Sequence, residues 1–202
     1  MKVLRKHVLV GAALLAAVGV TAASAQQTMR VRGTIEKVDG DKVVVKPDKG
    51  ADVALTLAAN AKIVGVAKAS LKDIKSGDFV GSAAMPQADG SQKALEVHIF
   101  AESMRGTGEG HRPYTTPGST MTNGTVGDMV TATAGDTLTV KYKDGEKKIV
   151  VGPDVPVVRY VVTDRRELKP GAHVVALNAI KKPDGSIDAP RINVGRDGLV
   201  PK

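Results

Sequence analysis

The chain has 202 residues with no cysteine, no tryptophan, two phenylalanines and three tyrosines. Zero cysteine excludes a disulfide framework, a thiol redox centre and a cysteine-based zinc site, and so few aromatics leave no stacking platform of the kind single-stranded nucleic-acid binders use, so nucleic acid is not an expected partner. The net charge of +8 falls to +5 once the first 25 residues, with Lys2, Arg5, Lys6 and no acid, are set aside; spread along the rest, that balance describes a solvated surface with weak attraction for anions.

The first element in chain order is a targeting segment. Lys2, Arg5 and Lys6 form a positive start, Val8 to Val20 is apolar, and Ala23-Ser24-Ala25 is a small-x-small cleavage site, so residues 1–25 read as a signal peptide cleaved after Ala25. The apolar run is about 13 residues, short of the roughly 20 that a membrane-spanning helix requires. The expectation is an exported protein of the bacterial periplasm with no membrane span in its mature chain.

The mature chain is written twice. One block opens at Arg32-Gly33-Thr34-Ile35 and closes at Asp89-Gly90-Ser91 and Leu95-Glu96-Val97-His98-Ile99. The other opens at Asn123-Gly124-Thr125-Val126 and closes at Asp184-Gly185-Ser186 and Pro190-Arg191-Ile192-Asn193-Val194. Between those ends, Ser70 to Gly77 answers Asp164 to Gly171, an offset of 94.

In the first block, apolar Val31, Gly33 and Ile35 alternate with Arg30, Arg32 and Thr34, Asp39-Gly40-Asp41 turns the chain, Lys42 to Lys46 is valine-rich, and Val53, Leu55 and Leu57 alternate after Pro47-Asp48-Lys49-Gly50. A short extended piece at 62–64 leads to a helical turn at 69–75, with Ser70 as cap, Asp73 three residues on and Gly77 as stop. Strands at 78–84 and 94–100 are joined across the Asp-Gly-Ser turn. The segment from Met104 to Met121 is glycine- and proline-rich and reads as a linker or a long loop lying across one barrel. The second block gives strands at 124–133, 137–143 and 147–151, an extended piece at 156–162, a helical turn at 165–169, and strands at 173–181 and 189–194, with 134–136 and 144–145 as turns. The His98 position lies opposite the apolar phase of Leu95, Val97 and Ile99 and is expected on an exposed face.

Each copy is therefore three strands, a short helical link and two strands. That order predicts an all-β protein: two tandem small five-to-six-stranded barrels of the oligonucleotide/oligosaccharide-binding (OB) type, each with one short helical link. The expected organisation is signal peptide 1–25, first barrel 26–100, linker 101–121, second barrel 122–195 and tail 196–202.

The runs Arg32-Gly33-Thr34-Ile35-Glu36-Lys37-Val38-Asp39-Gly40, Leu71-Lys72-Asp73-Ile74-Lys75-Ser76-Gly77-Asp78 and Gly106-Thr107-Gly108-Glu109-Gly110-His111-Arg112-Pro113 resemble a bacterial family of small exported proteins of unknown function built from duplicated OB-like domains. The likeness covers nearly all of the mature chain; its motifs describe turns and strand starts, and it implies no catalytic residue.

Candidate chemistry is sparse. No Gly-x-Ser-x-Gly or Ser-x-x-Lys element is present, and Asp39, Asp41, Asp48, Asp89, Asp136, Asp144 and Asp184 all sit in turn sequences, so no enzymatic activity is expected. The glycine run 106–110 lacks the helix that a phosphate loop requires. Arg30, Arg32, Lys37 and Lys42 form a basic stripe on the first copy, the expected contact for an envelope ligand or protein partner. The alternative is metal handling, of copper or nickel, in which His111 with Met104 and Met121 supplies the imidazole and thioethers that suit copper(I).

Overall fold

The structure is a computed structural model describing residues 28–131 and 135–202; the expected signal peptide, residues 26–27, the end of the expected 124–133 strand and the start of the 134–136 turn lie outside these. The chain is all-β. Its strands are β1 (Thr28–Asp39), β2 (Lys42–Pro47), β3 (Val53–Ala69), β4 (Phe79–Pro86), β5 (Gln92–Ile99), β6 (Gly110–Pro113), β7 (Thr120–Val130), β8 (Asp136–Tyr142), β9 (Gly145–Val151), β10 (Val157–Thr163), β11 (His173–Lys181) and β12 (Ile187–Gly195). The two links are single 3-10 turns, Leu71–Asp73 and Arg165–Glu167. In the first, the Asp73 carboxylate accepts from the Ser70 amide at 2.8 Å and hydroxyl at 3.1 Å. In the second, Asp164 accepts from the Arg166 amide at 2.9 Å.

Strand pairing closes twice. β1, β2, β3, β12 and β11 form one ring, closed by the parallel pairing of β12 with β3. β7, β8, β9, β5 and β4 form a second, closed by parallel pairing of β5 with β9. Each ring fills with the inward residues of its own strands: Ile35, Val45, Leu55, Val174 and Ile192 in the first, Val80, Val97, Val126, Leu138 and Ile149 in the second. The residue just past each 3-10 turn plugs a ring, Leu168 the first and Ile74 the second.

The rings do not coincide with the sequence copies. Residues 28–69 supply three strands to the first ring, while β4 and β5 of the same copy complete the second; β11 and β12 of the later copy return to complete the first. The expected boundary at 101–121 thus does not separate self-contained units. The cause is local: β3 runs 17 residues without a turn, carrying the chain out of its own ring before the link begins. In the second copy, Gly152-Pro153-Asp154 splits the equivalent stretch into β9 and β10.

The exchange is symmetric. Gly33 pairs with Val174 as Gly124 pairs with Val80. Ile187 pairs with Leu55 as Gln92 pairs with Ile149. Between the rings, β10 runs antiparallel to the far half of β3, and Tyr160 faces Val66, its own equivalent 94 residues earlier. An approximate two-fold axis passes through that pair. A third core of Val64, Val66, Phe79, Phe100, Met104, Val158 and Tyr160 fills this seam.

The duplicated glycine that opens each copy has a packing cause. A Cβ on Gly33 would lie 2.1 Å from the Lys46 carbonyl oxygen, and one on Gly124 would lie 2.2 Å from that of Lys141. β1 crosses β2, and β7 crosses β8, too closely at these points for any side chain. The Gly/Pro-rich segment is ordered rather than a free linker: it holds a 3-10 turn at Glu102–Met104, then β6, which pairs with β7.

Candidate functional site

Alternation places Ile192 and Val194 inside the first ring and turns Arg191 and Asn193 outward; on β5 it places Val97 and Ile99 inside the second ring and turns Glu96 and His98 outward. These outward faces meet across the seam. Glu96 is the equivalent of Arg191, and His98 of Asn193, so a symmetric position carries an acid and an imidazole on one side and a guanidinium and an amide on the other.

His98 is 6% exposed, against the expectation of an exposed strand residue. It does point out of its barrel, but the seam rather than solvent lies outside. Its Nε2 lies 2.7 Å from Glu96 Oε1, and its ring stacks on Tyr160 at 5.1 Å. Phe100 meets Tyr160 edge-on at 5.2 Å, and the Arg191 guanidinium sits 5.8 Å from the Tyr160 ring centre. The ammonium of Lys202 lies 3.3 Å from Glu96 Oε2.

Burial pushes the Glu96 carboxyl up, but hydrogen bonding and charge from His98 and Lys202 outweigh it and hold the group below its ordinary range. Burial raises Tyr160 far above the usual phenol value, so its hydroxyl stays protonated. Desolvation also lowers Arg191, which has no carboxylate partner among the described residues. Its Nε–H donates to Asn193 Oδ1 at 2.9 Å, leaving the rest of the fork available.

A cleft of about 390 Å³ opens over this network. Arg30, Arg112, Arg191 and Lys202 line it, with Tyr114, Tyr160, Phe100 and His98, and among the described residues no Asp or Glu side chain is in its walls. A neighbouring cleft of about 250 Å³ shares Arg30, His98, Tyr114 and Lys202 and adds Arg32 and Glu96. Asn178, also in the first cleft, holds a left-handed backbone (φ 55°) where the β1–β11 register shifts between Met29 and Val31. A strained non-glycine residue at a bulge beside a cleft is a common mark of a binding surface. The larger hollow, about 630 Å³ beside the first link, has Lys72 and Asp136 as the charged residues in its lining among those described.

Of the basic stripe read from the sequence, Arg30 and Arg32 reach the clefts, Arg32 also lying 3.7 Å from Asp48. Lys37 lies toward the other end of β1, 3.8 Å from Asp39, and Lys42 opens β2 opposite Asp39, both exposed and away from the seam. The separation is geometric: β1 is 12 residues long, so one strand carries Arg30 and Lys37 to different ends of the ring. Arg112, Arg191, Lys202, Glu96, His98 and Tyr160 were not singled out by sequence reasoning as site residues. The signal that could have found four of them is divergence between aligned positions, Glu96 against Arg191, His98 against Asn193 and Tyr160 against Val66.

The structure does not bring His111, Met104 and Met121 together. On β6, His111 pairs with Thr122 and Arg112 with Met121, so His111 and Met121 occupy opposite faces. His111 Nδ1 is 2.8 Å from Thr122 Oγ1, and its ring lies over Tyr142 at 6.5 Å. Burial, then the charge of Lys147, lowers its pKa. Met104 is buried in the seam core. Among the described residues, no group of three or more His, Cys, Asp or Glu side chains gathers at one point, and no helix is long and apolar enough to cross a membrane.

No protein-family model, curated protein or solved structure matches this chain.

Proposed function

We propose that the chain is an exported, non-enzymatic binding protein built on two OB-like barrels, related to the exported proteins its sequence resembles, and that it holds an anionic ligand in the cleft between the barrels. The observation that carries this reading is Arg191: a half-buried guanidinium with no carboxylate partner among the described residues, on the wall of a cleft that also gathers Arg30, Arg112 and Lys202. A planar fork with free donors in a partly desolvated site suits an oxyanion.

The barrel reading is supported by strand order. In each ring, a three-strand meander is joined by a short link that plugs the barrel and by a hairpin whose last strand closes on the third in parallel, as in OB barrels. Export is supported by residues 1–25. Glu96 is unsuited to act as a general acid, which needs a carboxyl pushed toward neutral pH, because His98 with Lys202 pushes this one the other way.

Thermal unfolding at constant ionic strength in rising sulfate, phosphate or citrate tests it. Wild type gains stability that saturates with anion concentration, as ligand linkage requires. Arg191→Gln loses the saturable gain, whereas Lys42→Ala, remote from the seam, keeps it. A wild-type protein that no anion stabilises would refute the reading.

A further inference from the structure

Arg191 and Thr107 line not one cleft but two. On their other side lies a hollow of about 400 Å³, lined by Val64, Met104 and Val162 together with Lys62, Ser103 and Thr163. Both hollows fall in the size range of small-molecule sites. Their linings differ: the first gathers four basic side chains, while the second has Lys62 and Arg191 with Ser103, Thr107 and Thr163 around a short apolar strip of Val64, Met104 and Val162. Val162 is 56% exposed there, a β-branched side chain left facing water on a strand whose neighbours Val158 and Tyr160 are buried.

We infer that the ligand is an anionic amphiphile, with an oxyanion headgroup held by Arg191 and Arg112 in the basic cleft and an aliphatic chain laid along the Val64, Met104 and Val162 wall. The inference rests on the anion-binding reading and extends it. Arg191 is the joint because it lines both hollows: its guanidinium takes the headgroup, and long cationic side chains commonly cover apolar surface with their stems. Headgroup contacts supply orientation, and burial of the chain supplies affinity that grows with length. Carboxylate and phosphate headgroups share this chemistry.

The test titrates the full mature protein, by calorimetry below micelle-forming concentrations, with inorganic phosphate and with butyl, hexyl and octyl phosphate, then with acetate through octanoate. The expected result is tighter binding along each series, up to roughly fourfold per fully buried methylene, with the better series identifying the headgroup. Val162→Asp flattens the dependence on chain length, and its exposed position keeps the fold out of the comparison; Arg191→Gln weakens every member. Inorganic phosphate binding as tightly as octyl phosphate would overturn the amphiphile and leave the anion site standing. Octanol binding as tightly as octyl phosphate would overturn it by removing the headgroup's part. No binding by any anion would overturn both readings.

Discussion

Glu96 shows how much one side chain's neighbours decide. In sequence it is a polar residue in the solvent phase of an alternating strand; in the fold it is 7% exposed, with His98 at 2.7 Å and Lys202 at 3.3 Å. Its carboxyl sits below the ordinary value of 4.5 despite burial. A depressed acid stabilises the fold above its unfolded-state pKa, and that contribution is lost as pH falls through the folded value. Glu96→Gln is therefore expected to cost about 1–3 kcal/mol at pH 7. Urea unfolding of both proteins checks this: the gap between them should narrow below about pH 4.5, and an equal gap at pH 7 and pH 3.5 would show that the charge contributes nothing. Asp164 has a different cause for a larger shift: exposed, it is held at about 2 by hydrogen bonds from the Arg166 side chain and amide.

At the level of elements, the turns were the most legible part of the chain. Asp89 and Asp184 accept from the amide and hydroxyl of Ser91 and Ser186 in identical turns, as their shared Asp-Gly-Ser implies, because those bonds are made within three residues. The links were legible as helical turns stopped at Gly77 and Gly171, but which barrel each one plugs was not. Ile74 and Leu168, equivalent residues just past those turns, are 2% and 4% exposed in opposite rings. Each packs into the core of the ring it closes. Ile74→Ala and Leu168→Ala should each cost about 2–5 kcal/mol. Chemical denaturation of the two variants measures it; a loss below about 1 kcal/mol in either would mean that the barrel collapses onto the gap or that the plug is not needed.

The whole molecule is one sheet path wound into two rings that exchange their closing hairpins. Cutting it where composition changes, after Arg105, leaves a fragment 28–105 with three strands of one ring and two of the other. Since β3 carries the link past its own ring, the fragment satisfies its edges by exchanging β4 and β5 with a second copy, restoring the two-fold arrangement that the intact chain builds internally. Light scattering after size-exclusion chromatography should find a dimer at micromolar concentration. A folded monomer would show that the hairpin closes back onto β1–β3, and the exchange would then be a property of the full chain alone. The site has the same origin. Its walls come from β1, β5, β6, β7, β10, β11 and β12, drawn from both copies and from the segment between them.

By itself, the sequence determined the all-β class, the duplication and the turn positions, since all of these arise from short-range sterics, local hydrogen bonds and the two-residue period of a strand. It also marked where the copies differ. Only the tertiary structure decided that equivalent hairpins trade places, that outward-facing Glu96, His98 and Arg191 look into a seam rather than into water, and that Arg30 reaches it while Lys37 and Lys42 do not. Burial and charge partnership are fixed by which strands become neighbours, and a 17-residue strand that passes its own barrel makes neighbours of residues that no local pattern connects.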